Sequence, residues 1–188
     1  MQKSNLRILL YSGWVILLDQ ATKFLARYFL QGEHPSEPRH SFSVIGDLIR
    51  LTFVENPGMA FGLRLGGKTF FTIFASLASL AILVYLFRIK GEKLIARLAL
   101  ALILGGAIGN LIDRIAFGQV VDFIDIGIGT TRWPVFNVAD IAVTVGMIIL
   151  LTVVFLQKEE VETKSESRHG GEEHWLNDRE TSSDEIIR

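Results

Sequence analysis

Hydrophobic positions in this chain fall into four long blocks, separated by shorter polar stretches. Thr69–Phe87 contains no charge, and neither does the run from Ile141 to Leu156. Leu94–Ile112 carries only Arg97, close enough to one end for its stem to reach the membrane interface. After Arg7 the first block is apolar as far as Asp19, then admits Asp19, Lys23 and Arg27. Each block is close to the roughly 20 residues that a helix needs to cross a bilayer. The pattern predicts four transmembrane helices over about 7–30, 69–87, 94–113 and 135–156. The first is not a cleavable signal peptide, because no small-residue cleavage site ends it and charges enter its second half.

The long connection Gln31–Lys68 has a different rhythm. Ser41–Ile45 and Leu48–Val54 read as two strands about the turn Gly46-Asp47, with Ile49, Leu51 and Phe53 on one face at period two. Asn56-Pro57-Gly58 then breaks the second strand. The predicted fold class is an all-α membrane protein of four transmembrane helices, with a small extracytoplasmic β-sheet over about 41–54 lying on the membrane surface.

Charge divides the chain and orients it. Residues 1–157 carry 14 basic and 10 acidic groups, a balance of +4, whereas the last 31 residues carry 5 and 10. A membrane domain over 1–157 and a charged, disordered cytoplasmic tail over 158–188 are expected. Lys3 and Arg7 precede the first block, and Arg88, Lys90, Lys93 and Arg97 fill the link between the second and third. The positive-inside rule puts both sets in the cytoplasm, and an even number of spans puts both termini there.

This topology gathers the costly polar groups on one side. Asp19, Lys23, Asn56, Asn110, Asp113, Arg114, Asp122 and Asp140 all fall in the outer half of the bundle or in outer loops. Ionisable groups within a membrane span are functional candidates. Asp122 and Asp140 stand out, because two carboxylates that approach closely cannot both ionise and retain a proton near neutral pH. Each could instead be a structural partner of Arg114 or Arg132, and Asp125 competes with Asp122; residue chemistry alone leaves this open. Asp19 and Lys23, four apart, share a helix face and suit an internal ion pair. A Ser–Lys protease using Lys23 with Ser41 or Ser43 lacks a recognisable motif. Gly105, Gly106 and Gly109 suit close helix packing. Asn110, Asp113 and Arg114, at helical spacing, fit a mixed structural and orienting role.

Other chemistries are excluded. With no cysteine there are no disulfides, thiolate nucleophiles or Cys-based metal sites. The four histidines lie outside the apolar runs and no His-Glu-x-x-His occurs, so a zinc protease is not expected. No cofactor and no nucleic-acid partner are expected either.

Five blocks in order resemble the signature of lipoprotein signal peptidase (signal peptidase II). They are Asp19-Gln20-Ala21-Thr22-Lys23; Asn56-Pro57-Gly58-Met59-Ala60-Phe61-Gly62; Gly105 through Arg114; Val121-Asp122-Phe123; and Phe136-Asn137-Val138-Ala139-Asp140. The resemblance covers about residues 5–157. It implies an aspartic endopeptidase of the bacterial inner membrane that removes signal peptides from prolipoproteins, cutting before a diacylglyceryl-modified cysteine. It maps the catalytic pair onto Asp122 and Asp140, favouring Asp122 over Asp125. Asp19, Lys23, Asn56, Asn110, Asp113, Arg114 and Asn137 map onto the other polar site residues. It also implies a surface cradle, no metal, contact with membrane lipids and inhibition by globomycin-type peptides. A monomer is expected, with its site near the extracytoplasmic face. The competing class is a small polytopic transporter or proton relay. A relay should place ionisable groups at several depths, and the cytoplasmic half here offers only Arg97.

Overall fold

The computed structural model describes residues 3–32, 41–58, 67–88 and 93–158. Four helices are long and apolar enough to span a membrane: α1 (Lys3–Leu30), α2 (Gly67–Arg88), α3 (Leu94–Ala116) and α4 (Val138–Lys158). Most of the chain, Met1–Ile149, forms one compact unit; a second begins at Leu150, and its described part is the end of α4. The tail expected over 158–188 lies outside the described residues beyond Lys158.

Large apolar side chains point outward, as they must where the surroundings are hydrocarbon. Trp14, Phe24, Phe74 and Leu77 are all more than 60% exposed. The interior of the bundle is instead lined with small residues. On α3, Ala99, Ala101, Gly105, Gly106 and Gly109 are buried, and without hydrophobic driving force between helices such residues allow the close approach on which packing depends. A Cβ on Gly105 would lie 2.9 Å from the Ser12 carbonyl of α1, one on Gly106 would strike the Ala139 carbonyl of α4, and one on Gly109 would lie 2.6 Å from the Asp19 carboxylate. Three glycines on α3 therefore let helices from both sides touch its backbone.

The β-structure is larger than the pattern predicts. Ser41–Ile45 (β1) and Ile49–Asn56 (β2) form the expected antiparallel hairpin, with Gly46 at φ +48° in its turn. Val120–Ile128 (β3) and Thr131–Arg132 (β4) extend it to a four-stranded sheet of order β1-β2-β3-β4. Asp122 thus sits in a strand, where a loop was expected. The isolated reading missed β3 because a strand buried on both faces shows no alternation. Here Val120, Val121, Asp122 and Phe123 are all buried. Val121 and Phe123 pack with Phe53, Ala26 and Leu30 against the end of α1. Period two then turns Asp122 to the opposite face of the sheet.

α4 begins at Val138 rather than near 135, because Phe136 is still bridged to Ile124 of β3 and Pro134 precedes it. α3 continues to Ala116, past the expected end at 113.

Gly106→Ala should lower the thermal unfolding midpoint of the detergent-solubilised protein by the equivalent of about 1–3 kcal/mol, the usual range for overpacking. Gly13→Ala, on the lipid-facing side of α1 with open space around it, should leave the midpoint unchanged or raise it slightly.

Candidate active site

The polar groups form two layers. The inner layer begins with Lys23, 2% exposed despite its charge. Its Nζ lies 2.8 Å from Asp19 Oδ2 and 3.1 Å from Asp113 Oδ2, both carboxylates being fully buried. Asp19 is brought to α4 as well: its Oδ1 accepts the Ala139 N–H at 2.9 Å, one of the open donors in the first turn of that helix. Asp113 Oδ2 also accepts the Val121 N–H at 3.1 Å, which fixes where β3 starts. Gln20 donates to Asp19, to the Gly109 carbonyl and to Asp113 at 3.1–3.3 Å. Arg27 lies 4.0 Å from Asp113 and stacks 3.4 Å over the Phe117 ring. This cluster joins α1, α3, β3 and α4 and is the internal ion pair expected of Asp19 and Lys23, extended to Asp113.

The outer layer holds Asp122 and Asp140. Each oxygen of each carboxylate accepts one hydrogen bond. Asp122 Oδ1 accepts from Asn137 Nδ2 at 2.7 Å, and Asp122 Oδ2 from Asn56 Nδ2 at 3.0 Å. Asp140 Oδ1 accepts from Asn110 Nδ2 at 2.8 Å, and Asp140 Oδ2 from the Asn137 N–H at 3.2 Å.

Local structure explains why these donors face the right way. Asn137 is the N-cap of α4. Its Oδ1 accepts the Asp140 N–H at 3.0 Å while Asp140 accepts the Asn137 N–H, the reciprocal arrangement of a capping box. Since a backbone N–H can only donate, the Asn137 oxygen must face it, and the NH2 turns to Asp122. Asn56 is fixed in the same manner: its Oδ1 accepts the Gly58 N–H at 2.9 Å, and the NH2 faces Asp122. Gly58 follows Pro57 at φ +105°, a conformation that favours glycine.

The two acids line one cavity of about 570 Å³. Asn56 and Arg114 share its polar wall; Phe71, Trp133, Val135, Ile141 and Val145 form the apolar one. Of the sequence-based candidates, Asp122, Asp140, Asn56 and Arg114 meet at this cavity, with Asn110 and Asn137 hydrogen-bonded to the acids. Asp19, Lys23 and Asp113 sit behind them. Arg114 donates to the Asn110 carbonyl at 3.2 Å and lies within the field of Asp140, Asp122 and Asp113. Arg132 is not a partner of Asp122: its Nε pairs with Asp125 Oδ1 at 2.6 Å and its Nη1 reaches Asp47. Thr52 also donates to Asp125, whose two oxygens are thereby both engaged away from the cavity. Gln20, Phe71 and the segment Trp133–Phe136 were missed as site-forming residues. Gln20 and Phe136 lay inside quoted motifs, but Phe71 and Trp133–Val135 gave no signal beyond ordinary apolar residues or a turn. Among the described residues no cluster of His, Cys, Asp and Glu is suited to a metal.

Burial, and to a lesser degree the nearby Asp140 charge, pushes the Asp122 carboxyl up to about 6 against bonds from Asn56 and Asn137 that favour its ionised form.

Fold and cavity together define a multi-pass membrane protein with a paired-carboxylate site at one end of its bundle. Residues 11–156 match the family model described as signal peptidase (SPase) II. The chain is 41% identical over 165 residues to the lipoprotein signal peptidase of Syntrophus aciditrophicus (strain SB), covering 85% of this chain and 98% of that one. It is 44% identical over 142 residues to that of Moorella thermoacetica (strain ATCC 39073 / JCM 9320), covering 76% and 88%. A bacterial membrane enzyme solved by the in meso method at 2.3 Å superposes with a TM-score of 0.71 at 31% identity, over 82% of this chain and 90% of that one. The chain belongs to the signal peptidase II family, a family of proteases.

An infrared difference titration should show the Asp122 carboxyl band, identified by its loss in Asp122→Ala, changing near pH 6. Asn56→Ala removes a donor that stabilises the charged form, so the transition should move to higher pH. The folded value lies above the unfolded 3.8, so Asp122 favours the folded state below that pH and withdraws the contribution as pH rises through about 6.

Proposed function

We propose that this protein is an aspartic endopeptidase that removes the signal peptide from prolipoproteins, cutting before a cysteine already carrying diacylglycerol. The observation that carries the reading is the shared cavity of Asp122 and Asp140, whose four carboxylate oxygens are each met by a donor. Family membership and the names of the relatives support the substrate class.

One acid, ionised, takes a proton from a water between the pair while the other, protonated, donates to the scissile carbonyl and stabilises the developing oxyanion. The water attacks, and a proton passes to the leaving amine. Amide donors suit this role: they hold both carboxylates in place but neutralise neither, as a lysine or arginine ion pair would. Arg114 stands at the cavity wall to orient the substrate backbone. A second groove of about 420 Å³ runs from Asn110, Arg114 and Asp140 between Phe74 and Ala78 of α2 and Val143 and Met147 of α4. The apolar core of the signal helix would lie there, entering sideways from the bilayer with the lipid chains outside. Globomycin-type peptides would occupy the same cavity. The enzyme works as a monomer in the bacterial inner membrane, with the site at the extracytoplasmic face and both termini in the cytoplasm. Residues 1–157 form the peptidase domain and 158–188 a charged cytoplasmic tail. The proton-relay reading is not favoured, because the buried ionisable groups of the described helices, Asp19, Lys23 and Asp113, lie together at one end of the bundle.

Asp122→Asn and Asp140→Asn should each abolish cleavage of a diacylglyceryl-modified precursor in a gel-shift assay while the protein stays folded and inserted. Wild-type cleavage should stop with globomycin, and near-normal cleavage by either variant would refute the assignment. The absence of native cysteine permits a clean topology test. In intact spheroplasts a membrane-impermeant maleimide should label Ser41→Cys, and label Ser165→Cys only after lysis.

A further inference from the structure

The ammonium of Lys23 has three hydrogens and three acceptors. Two are the carboxylates of Asp19 and Asp113 at 2.8 and 3.1 Å; the third is Asn110 Oδ1 at 2.8 Å. Two carboxylates compensate the charge of the buried cation, and its third hydrogen is met by a neutral amide on α3 rather than by a third acid. The direction of that contact has a consequence. An ammonium has no acceptor, so the Asn110 atom facing it must be oxygen, and the NH2 must point the other way. There it meets Asp140 Oδ1 at 2.8 Å.

We infer that Lys23 is a positioning residue of the reaction, locking the Asn110 amide so that its NH2 is presented to Asp140. The inference rests on the reading of Asp122 and Asp140 as the reacting pair. The other group facing Asn110 Oδ1 is Asn137 Nδ2 at 3.1 Å. That NH2 has two hydrogens and two further acceptors, Asp122 Oδ1 at 2.7 Å and the Val121 carbonyl at 3.2 Å. It can leave Asn110 without losing its own bonds, and Lys23 cannot, since its third hydrogen has no other acceptor among the described contacts. The lock is therefore the lysine. Local sequence makes it possible: Gly109, next to Asn110, leaves the space into which the Asp19 carboxylate fits, bringing this face of α1 against α3. If the amide rotated, its oxygen would face Asp140 and set acceptor against acceptor where water is to be activated.

The test uses full-length protein in detergent–lipid micelles with a diacylglyceryl-modified precursor. Lys23→Met alone leaves Asp19 and Asp113 uncompensated, so the informative variant is the neutral pair Asp19→Asn with Lys23→Met, which preserves the net charge of the cluster and leaves Asp113 to Arg27 at 4.0 Å. Asparagine at 19 keeps an oxygen for the Ala139 N–H. This pair should remain folded, with kcat lower by about ten- to a hundredfold, the range expected for a lost hydrogen bond to a charged group, and KM changed less than about twofold. In an Asn110→Ala background the same pair of changes should have no further effect on kcat, since the lysine acts through that amide. An undiminished kcat, a rise confined to KM, a loss that multiplies with that of Asn110→Ala, or failure of the neutral pair to fold would each overturn the inference. A fully active Asp19→Asn/Lys23→Met enzyme beside inert Asp122→Asn and Asp140→Asn would remove only this inference, whereas cleavage by those two would remove the dyad beneath it.

Discussion

A polar group at the depth of the hydrocarbon layer has no water to turn to, so its partner must come from the protein. That constraint selects most of the side chains at the polar end of this bundle. Lys23 is enclosed by Asp19, Asp113 and Asn110; Asp19 also holds an open amide of α4; Asp113 also holds the Val121 amide of β3. Each acid of the inner layer thus does two things at once. It compensates a buried cation, and it ties down the backbone of an element that carries one of the two cavity acids. Removing either acid would take one of two carboxylates from a buried cation and leave a backbone amide unpaired, so the cluster holds together as a unit.

The three asparagines translate that rigidity into chemistry. An amide can present either end, and an asparagine on an open surface would sample both. Here a group able only to donate faces each oxygen: the Gly58 amide at Asn56, the Lys23 ammonium at Asn110, and the Asp140 amide at Asn137. Every NH2 is thereby committed to a carboxylate. A charged donor in those positions would pair with the acids and pull them toward full ionisation. Neutral donors hold the geometry while burial keeps the Asp122 carboxyl up at about 6, within reach of exchanging a proton near neutrality.

Placement of the pair depends on two packing devices. Glycines 105, 106 and 109 allow α1 and α4 to touch the α3 backbone, bringing Asp19 and Ala139 into hydrogen-bond range of each other. The sheet supplies the second device. Its apolar face, with Phe53, Val121 and Phe123, is pinned to the end of α1, so the opposite face delivers Asp122 to the cavity. A slip of one residue in β3 would exchange these faces.

Much of this architecture was legible in the chain. Length and hydropathy marked the four spans, because the thickness of hydrocarbon is a one-dimensional constraint that each helix meets alone. The β1–β2 hairpin was visible in its alternation and its Gly46-Asp47 turn. The one-sided distribution of polar residues and five ordered motifs pointed to Asp122, Asp140 and their neighbours. β3 was not visible, since burial on both faces erases period two. Residue chemistry could not separate Asp122 from Asp125, three residues apart on one strand. Their partners differ and come from outside β3: Arg132 and Thr52 engage Asp125, while Asn56 and Asn137 engage Asp122. Composition and order determine which segments cross the membrane and which residue types they carry. Local segments supply some donors, such as the Asn137 N–H to Asp140, but Asn56 reaches Asp122 and Thr52 reaches Asp125 only when segments tens of residues apart pack together, because a hydrogen bond requires both partners within about 3 Å.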